Sequence, residues 1–151
     1  MRLDQPGAEA YFVRAGVGTY QDTGTFMVQA GLERVRIEEA ITAILVELGK
    51  VAKRGVTPAE LTRAKEYAHG KLVLELEDSQ SIASFAGRQL LLERKFETPE
   101  QKMAKLRAVA RADLQRVAAK YFRRRALALA LIGPFSDPKP FRRLLERAPL
   151  V

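Results

Sequence analysis

The strongest constraint on the fold is a change of hydrophobic period near residue 35. Before it, Tyr11, Val13, Ala15 and Val17 alternate with Phe12, Arg14 and Gly16, and Thr25 to Ala30 (TFMVQA) alternates again. Period two is the signature of an extended strand, whose successive side chains point to opposite faces. Between the runs stands Gln21-Asp22-Thr23-Gly24, a turn-forming sequence. Together they predict an antiparallel hairpin over about 11–31, with Phe26, Val28 and Ala30 on one face and Met27 and Gln29 on the other. From Val35 onward, Ile37, Ile41, Ile44, Leu45, Leu48 and Val51 recur at helical spacing. A chain that opens on a hairpin and continues in amphipathic helices is α+β, an antiparallel sheet packed with helices on one side.

Punctuation divides the helical part, about 35–122, into segments. Glu38 and Glu39 precede Lys50 and Lys53 along the first helix, matching its dipole, and Gly55 is placed to end it. Thr57-Pro58-Ala59-Glu60 supplies a cap, a proline at the first turn and a capping-box glutamate. That second helix is predicted to run to about Leu76, with Leu61, Ala64, Ala68, Leu72 and Leu76 inward. Asp78-Ser79 interrupts it and caps a helix from Ile82 to Arg94. Thr98-Pro99-Glu100-Gln101 repeats the capping pattern for a helix through Val109, and Asp113 to Phe122 forms another. Ala126 to Ile132 (ALALALI) is a short apolar run ended by Gly133-Pro134, which favours a buried strand over about 126–132. A terminal helix follows over about 138–147.

Length and residue counts narrow the chemistry. With 151 residues the chain suits one domain. It holds no cysteine and one histidine, which excludes disulfides, thiolate zinc sites and any site built from two imidazoles of this sequence. His69, in Tyr67-Ala68-His69-Gly70, reads as a structural or surface residue of a helix. No stretch approaches the roughly 18 consecutive apolar residues that span a bilayer. The first residues carry no apolar run of signal-peptide length. A cytoplasmic location without membrane contact is therefore expected.

Other candidate sites have simpler readings. Glu75, Glu77 and Asp78, with Glu66 or Glu93, form an acidic group, but their positions point to different helix faces rather than converging on a cation. Gly16-Val17-Gly18 lacks the third glycine and the following helix of a nucleotide loop. Of the net charge of +8, residues 111–151 hold ten Lys/Arg against three Asp/Glu. Arg116, Lys120, Arg123 and Arg124 form a stripe opposite Leu114, Val117 and Tyr121, and Arg142, Arg143 and Arg147 form a second group. Without interleaved stacking aromatics or a nucleic-acid module, these read as solvated faces and helix-end charges, and nucleic acid is not an expected partner.

The order of these pieces resembles a known family. The hairpin AYFVRAGVGTYQDTGTFMVQAGL is followed by an amphipathic helix, GVTPAELTRAKEYAHGKLVLELEDSQSIASFAGRQLL, ETPEQKMAKLRAVARADLQRVAAKYF and ALALALIGP. From about Ala10 to Pro134 it resembles the C-terminal, non-catalytic half of the pitrilysin/insulinase family of zinc peptidases, in the branch of the mitochondrial processing peptidase and its bacterial relatives.

The resemblance implies one of two homologous α+β halves that close around a peptide chamber. The other half carries an inverted His-x-x-Glu-His zinc motif, whose Glu acts as general base on a zinc-bound water. That motif is absent from this sequence, so no catalytic or metal-ligating residue is assigned, and zinc is expected only in a catalytic partner half. The family's C-terminal half commonly offers an Arg and a Tyr seven residues apart to the substrate. Tyr11 matches the Tyr; the position seven before it is Asp4, and the nearest arginine is Arg2. Tyr11 and Arg2 are the candidate substrate-binding residues. The resemblance also implies a strand, a helix and a glycine-rich loop ahead of the hairpin. The sequence is thus read as one partial domain, 1–151, lacking its first strand and helix. An unpaired sheet edge or uncovered helix face predicts self-association.

The expected function is a non-catalytic domain that helps form the peptide chamber and needs a separate His-x-x-Glu-His half for proteolysis. The alternatives are a stand-alone, self-associating interaction module without peptidase activity, or a basic polyanion-binding protein.

Overall fold

Alternation in the first thirty residues produces the expected hairpin. In the computed structural model of the chain, which describes residues 10–150, β1 (Ala10–Thr19) pairs with β2 (Gly24–Leu32) in a two-stranded antiparallel sheet. The Tyr20 N–H donates to the Thr23 carbonyl at 2.9 Å and closes the turn. One register runs the length of the hairpin. A Cβ on Gly18 would stand 2.9 Å from Thr25 Oγ1, and one on Gly31 would stand 2.7 Å from the Phe12 ring, so each pair lies cross-strand. The register sorts Tyr11, Val13, Phe26, Val28 and Ala30 onto one face, and Phe12, Arg14, Met27 and Gln29 onto the other.

Six α-helices follow among the described residues: α1 (Ile37–Arg54), α2 (Pro58–Glu75), α3 (Ser79–Arg88), α4 (Pro99–Ala108), α5 (Arg111–Tyr121) and α6 (Lys139–Glu146). Their ends are set by the side chains that the sequence singles out. Thr57 and Glu60 form a reciprocal capping box at α2, and Thr98 and Gln101 form another at α4. Asp78 accepts from the N–H groups of Gln80 and Ser81 at the start of α3. Gly55 ends α1 at φ 70°, a conformation costly for a residue with a Cβ.

The chain divides into two compact units. One comprises residues up to Gly16, Phe26–Gly55 and Ala112–Val151. Its core is Ile41 and Leu45 of α1 with Phe141, Ala148 and Leu150 at the C-terminal end. Around these pack Ile37, Leu48, Phe122, Leu127, Leu131 and Phe135. Phe26 of β2 meets Phe122 with ring centroids 4.9 Å apart, joining the hairpin to this layer. Gln115 Nε2 donates to the Lys53 carbonyl at 2.9 Å, occupying one of the last acceptors of α1. The other unit comprises Val17–Thr25 and Val56–Arg111. Within it α2 packs on α4, Lys65 Nζ donates to the Arg107 carbonyl at 2.6 Å, and Arg111 Nε donates to the Val56 carbonyl at 2.6 Å.

Two local expectations are corrected. The run 126–132 is not a strand: Arg124–Ala126 form a short 3-10 turn, Leu127 is extended, and the residues after it join no sheet. A strand is defined by its ladder, and among the described residues no neighbour offers one. The helix expected to continue to Arg94 keeps α-geometry only to Arg88. Gln89–Glu93 form one π-helical turn, ending at Arg94 in the left-handed region.

Candidate functional site

Tyr11 lies near the start of β1 and is 78% exposed, on the same sheet face as Val13, Val28 and Ala30. Its neighbour Phe12 turns to the opposite face, where it covers Gly31 and carries the Arg14 guanidinium 5.6 Å from its ring centroid. The hairpin therefore holds an aromatic side chain in solvent on a face where Val13, Val28 and Ala30 are half-buried. Arg2, the other candidate, lies outside the described residues.

The polar candidates are dispersed. His69 is exposed on α2. Glu75 pairs with Lys71 at 3.5 Å, Glu93 pairs with Lys102 at 3.6 Å, and Asp78 is engaged as the cap of α3. Hydrogen bonds from Ser81 and Gln80 hold the Asp78 carboxyl below its ordinary range. The corresponding contact with Thr57 lowers Glu60. Among the described residues, no three His, Cys, Asp or Glu side chains gather as metal ligands. With a single imidazole and scattered carboxylates, the donor set does not fit a catalytic zinc ion.

The best-defined charged centre is one that sequence reasoning missed. Glu97 is buried after the left-handed turn at Arg94. Its carboxylate accepts from Lys105 and from Lys95, the latter at 2.5 Å. The two ammonium groups hold its pKa down at about 2, and the same contact raises that of Lys95. Gln89, 2% exposed, clamps the Glu97 backbone from both ends: Nε2 donates to the Glu97 carbonyl at 3.2 Å, and Oε1 accepts the Glu97 N–H at 3.1 Å. This arrangement ties down a chain reversal. Both ammonium groups are engaged with the one carboxylate, and the geometry serves anchoring rather than chemistry.

Among the described residues, each unit forms a groove of its own. In the first, of about 380 Å³, Leu129, Leu131, Gly133 and Phe135 line one wall, facing Phe141, Arg142 and Leu145 of α6. In the second, of about 300 Å³, Leu72, Met103 and Leu106 form an apolar floor between α2 and α4, with Lys71, Glu75 and Lys102 at its rim. Neither gathers a nucleophile and a base. No described helix is long and apolar enough to cross a membrane.

Comparison with known proteins gives this geometry a context. Residues 3–67 match a family model described as the Peptidase M16 inactive domain. A probable β subunit of the mitochondrial-processing peptidase from Arabidopsis thaliana is 32% identical over 85% of this chain and 24% of its own length. An uncharacterized zinc protease of Streptomyces coelicolor is 29% identical over 88% of this chain and 29% of its own length. The α subunit of the mitochondrial-processing peptidase of Bos taurus is 31% identical over 79% and 22%. The chain thus spans less than a third of the length of these relatives. A chain of complex III from Candida albicans shares the fold, with a TM-score of 0.66 and 19% identity, over 72% of this chain and 26% of that one.

Proposed function

We propose, for a chain related in sequence and in fold to the inactive domain of the M16 peptidases, that it forms one wall of a peptide-holding chamber whose catalysis resides in a separate His-x-x-Glu-His half. The observation that carries this reading is a conjunction: the inactive-domain match falls on the hairpin and first helices, while the whole sequence offers one histidine. A zinc-dependent hydrolase needs at least three ligands and an open position for water. In this reading those ligands belong to the partner half, and zinc there supplies the activated water. This chain binds and orients the peptide, with Tyr11 directed to it from the exposed start of β1.

The test is reconstitution. The purified chain is mixed with a His-x-x-Glu-His partner from the same source, and cleavage of a peptide library is followed with and without a chelator. The reading expects no zinc-dependent cleavage by either component alone and cleavage by the mixture. Hydrolysis by this chain alone, or a partner fully active without it, would overturn the proposal.

A further inference from the structure

The two faces of the hairpin are covered unequally. Phe26 carries the face it shares with Val13, Val28 and Ala30 onto Phe122, which packs on the core. On the other face, the register that sets Phe12 against Gly31 sets Arg14 against Gln29 and Gly16 against Met27. That face is open: Arg14, Gly16 and Gln29 are exposed, and Met27 is 61% exposed. A Cβ added at Gly16 would meet no atom within 4 Å. Two glycines among the six positions keep the surface low, so a ligand can approach the strand backbone closely.

Charge decides what that ligand carries. Arg14 is the one charged residue among the six. Its guanidinium lies 5.6 Å from the Phe12 ring centroid, a cation–π contact that restricts where the side chain goes. Phe12 is itself seated over Gly31, where a Cβ would stand 2.7 Å from the ring. Among the described residues no carboxylate pairs with Arg14. A positioned, exposed guanidinium offers a carboxylate two parallel N–H donors. We propose that Arg14 is a specificity residue of this face, taking the side-chain carboxylate of an acidic residue in a bound peptide while Phe12 and Met27 flank it with apolar surface. The chamber reading supplies the class of ligand, and the hairpin alone supplies the site. Arg14 binds and orients; it takes no part in bond breaking.

The experiment uses the full chain and fluorescent peptides of about eight residues, built of valine and serine around one central Glu, Gln or Lys. The Glu peptide is expected to bind roughly fivefold tighter than the Gln peptide, and the Lys peptide weakest, with the differences shrinking at high salt. Arg14→Glu should reverse the order to Lys over Glu, which a merely structural role of Arg14 would not do. Arg14→Lys should keep the order with a smaller ratio, because the planar fork is lost. Thermal unfolding checks that both variants fold as the parent does. With a His-x-x-Glu-His partner added, kcat/KM should follow the same order, carried in KM. Equal binding of the three peptides, no saturable binding, or an unchanged Glu preference in Arg14→Glu would overturn the proposal, whether or not the mixture cleaves. The reversal in binding, together with a mixture that never cleaves, would overturn the chamber reading alone. A fall in the solution mass of the peptide-free chain on Arg14→Glu would assign this face to a second copy and would also overturn the proposal.

Discussion

The Phe26 ring on β2 meets the Phe122 ring just beyond α5 at 4.9 Å between centroids and an interplanar angle of 51°. This tilted contact is the aromatic link between the hairpin and the helical layer of its unit, since Phe122 also packs on the Ile41–Phe141 core. Phe122→Ala removes both contacts and leaves a cavity that strands cannot easily close. A loss of about 3 kcal/mol is expected, seen as a drop in Tm of roughly 6–12 °C by calorimetry. A drop under about 2 °C would show that the hairpin does not depend on this ring.

Gly49 makes the opposite kind of prediction from its helix position. Glycine inside a helix ordinarily costs about 0.5–1 kcal/mol relative to alanine, so Gly→Ala should stabilise. Here a Cβ would stand 2.7 Å from the Pro149 carbonyl oxygen, a backbone atom that cannot swing away. Gly49→Ala is therefore expected to destabilise by about 1–3 kcal/mol, read from urea unfolding as a lower midpoint. Stabilisation would show that the segment Ala148–Leu150 does not hold this position.

Gln89 matters through what it leaves behind. Gln89→Leu keeps the buried volume but strips the Glu97 N–H and carbonyl of their partners. Unmet buried polar groups cost about 1–3 kcal/mol each. The variant should unfold about 2–4 kcal/mol more easily, with local hydrogen exchange at Glu97 accelerated first.

The Glu97 carboxyl links stability to acid. Folding lowers its pKa from 4.5 to about 2, so its contribution is fully present above 4.5 and is lost as pH falls from there through about 2. Glu97→Gln should flatten that part of the acid limb and leave the limb supplied by Glu60, Asp78 and Glu100, whose carboxyls are also lowered. The measurement is Tm against pH for both chains; parallel curves would remove Glu97 from the account.

What was legible in the sequence is what local physics decides. Thr57-Pro58-Ala59-Glu60 and Thr98-Pro99-Glu100-Gln101 announce their helix starts because cap donors and acceptors lie within three residues of each other. The two faces of β2 follow from alternation, and the inward placement of Ile41 and Leu45 follows from helical period. The Gln89–Glu97 clamp was not legible, because its partners are eight residues apart across a reversal made by Arg94 in the left-handed region. ALALALI departs from its strand pattern for the complementary reason. Alternation reports how a segment can pack, as Leu127 and Leu131 do, but a strand also needs a neighbour, and a one-dimensional pattern cannot supply it. The candidacy of Tyr11 rests on the family resemblance, and the hairpin adds that its ring is exposed.

Tyr11 gives the prediction that separates packing from substrate contact. At 78% exposure its ring contributes little to the fold, so Tyr11→Ala should change stability by no more than about 0.5 kcal/mol. In the reconstituted two-half enzyme the same substitution should raise KM for peptide by roughly tenfold, with kcat changed far less, because a contact made equally in ground and transition states is lost. Tyr11→Phe distinguishes the ring from the hydroxyl: recovery of KM assigns the contact to the aromatic face, and no recovery assigns it to the hydroxyl hydrogen bond. An unchanged KM in Tyr11→Ala would remove this residue from the peptide chamber and leave it a solvent-exposed strand residue.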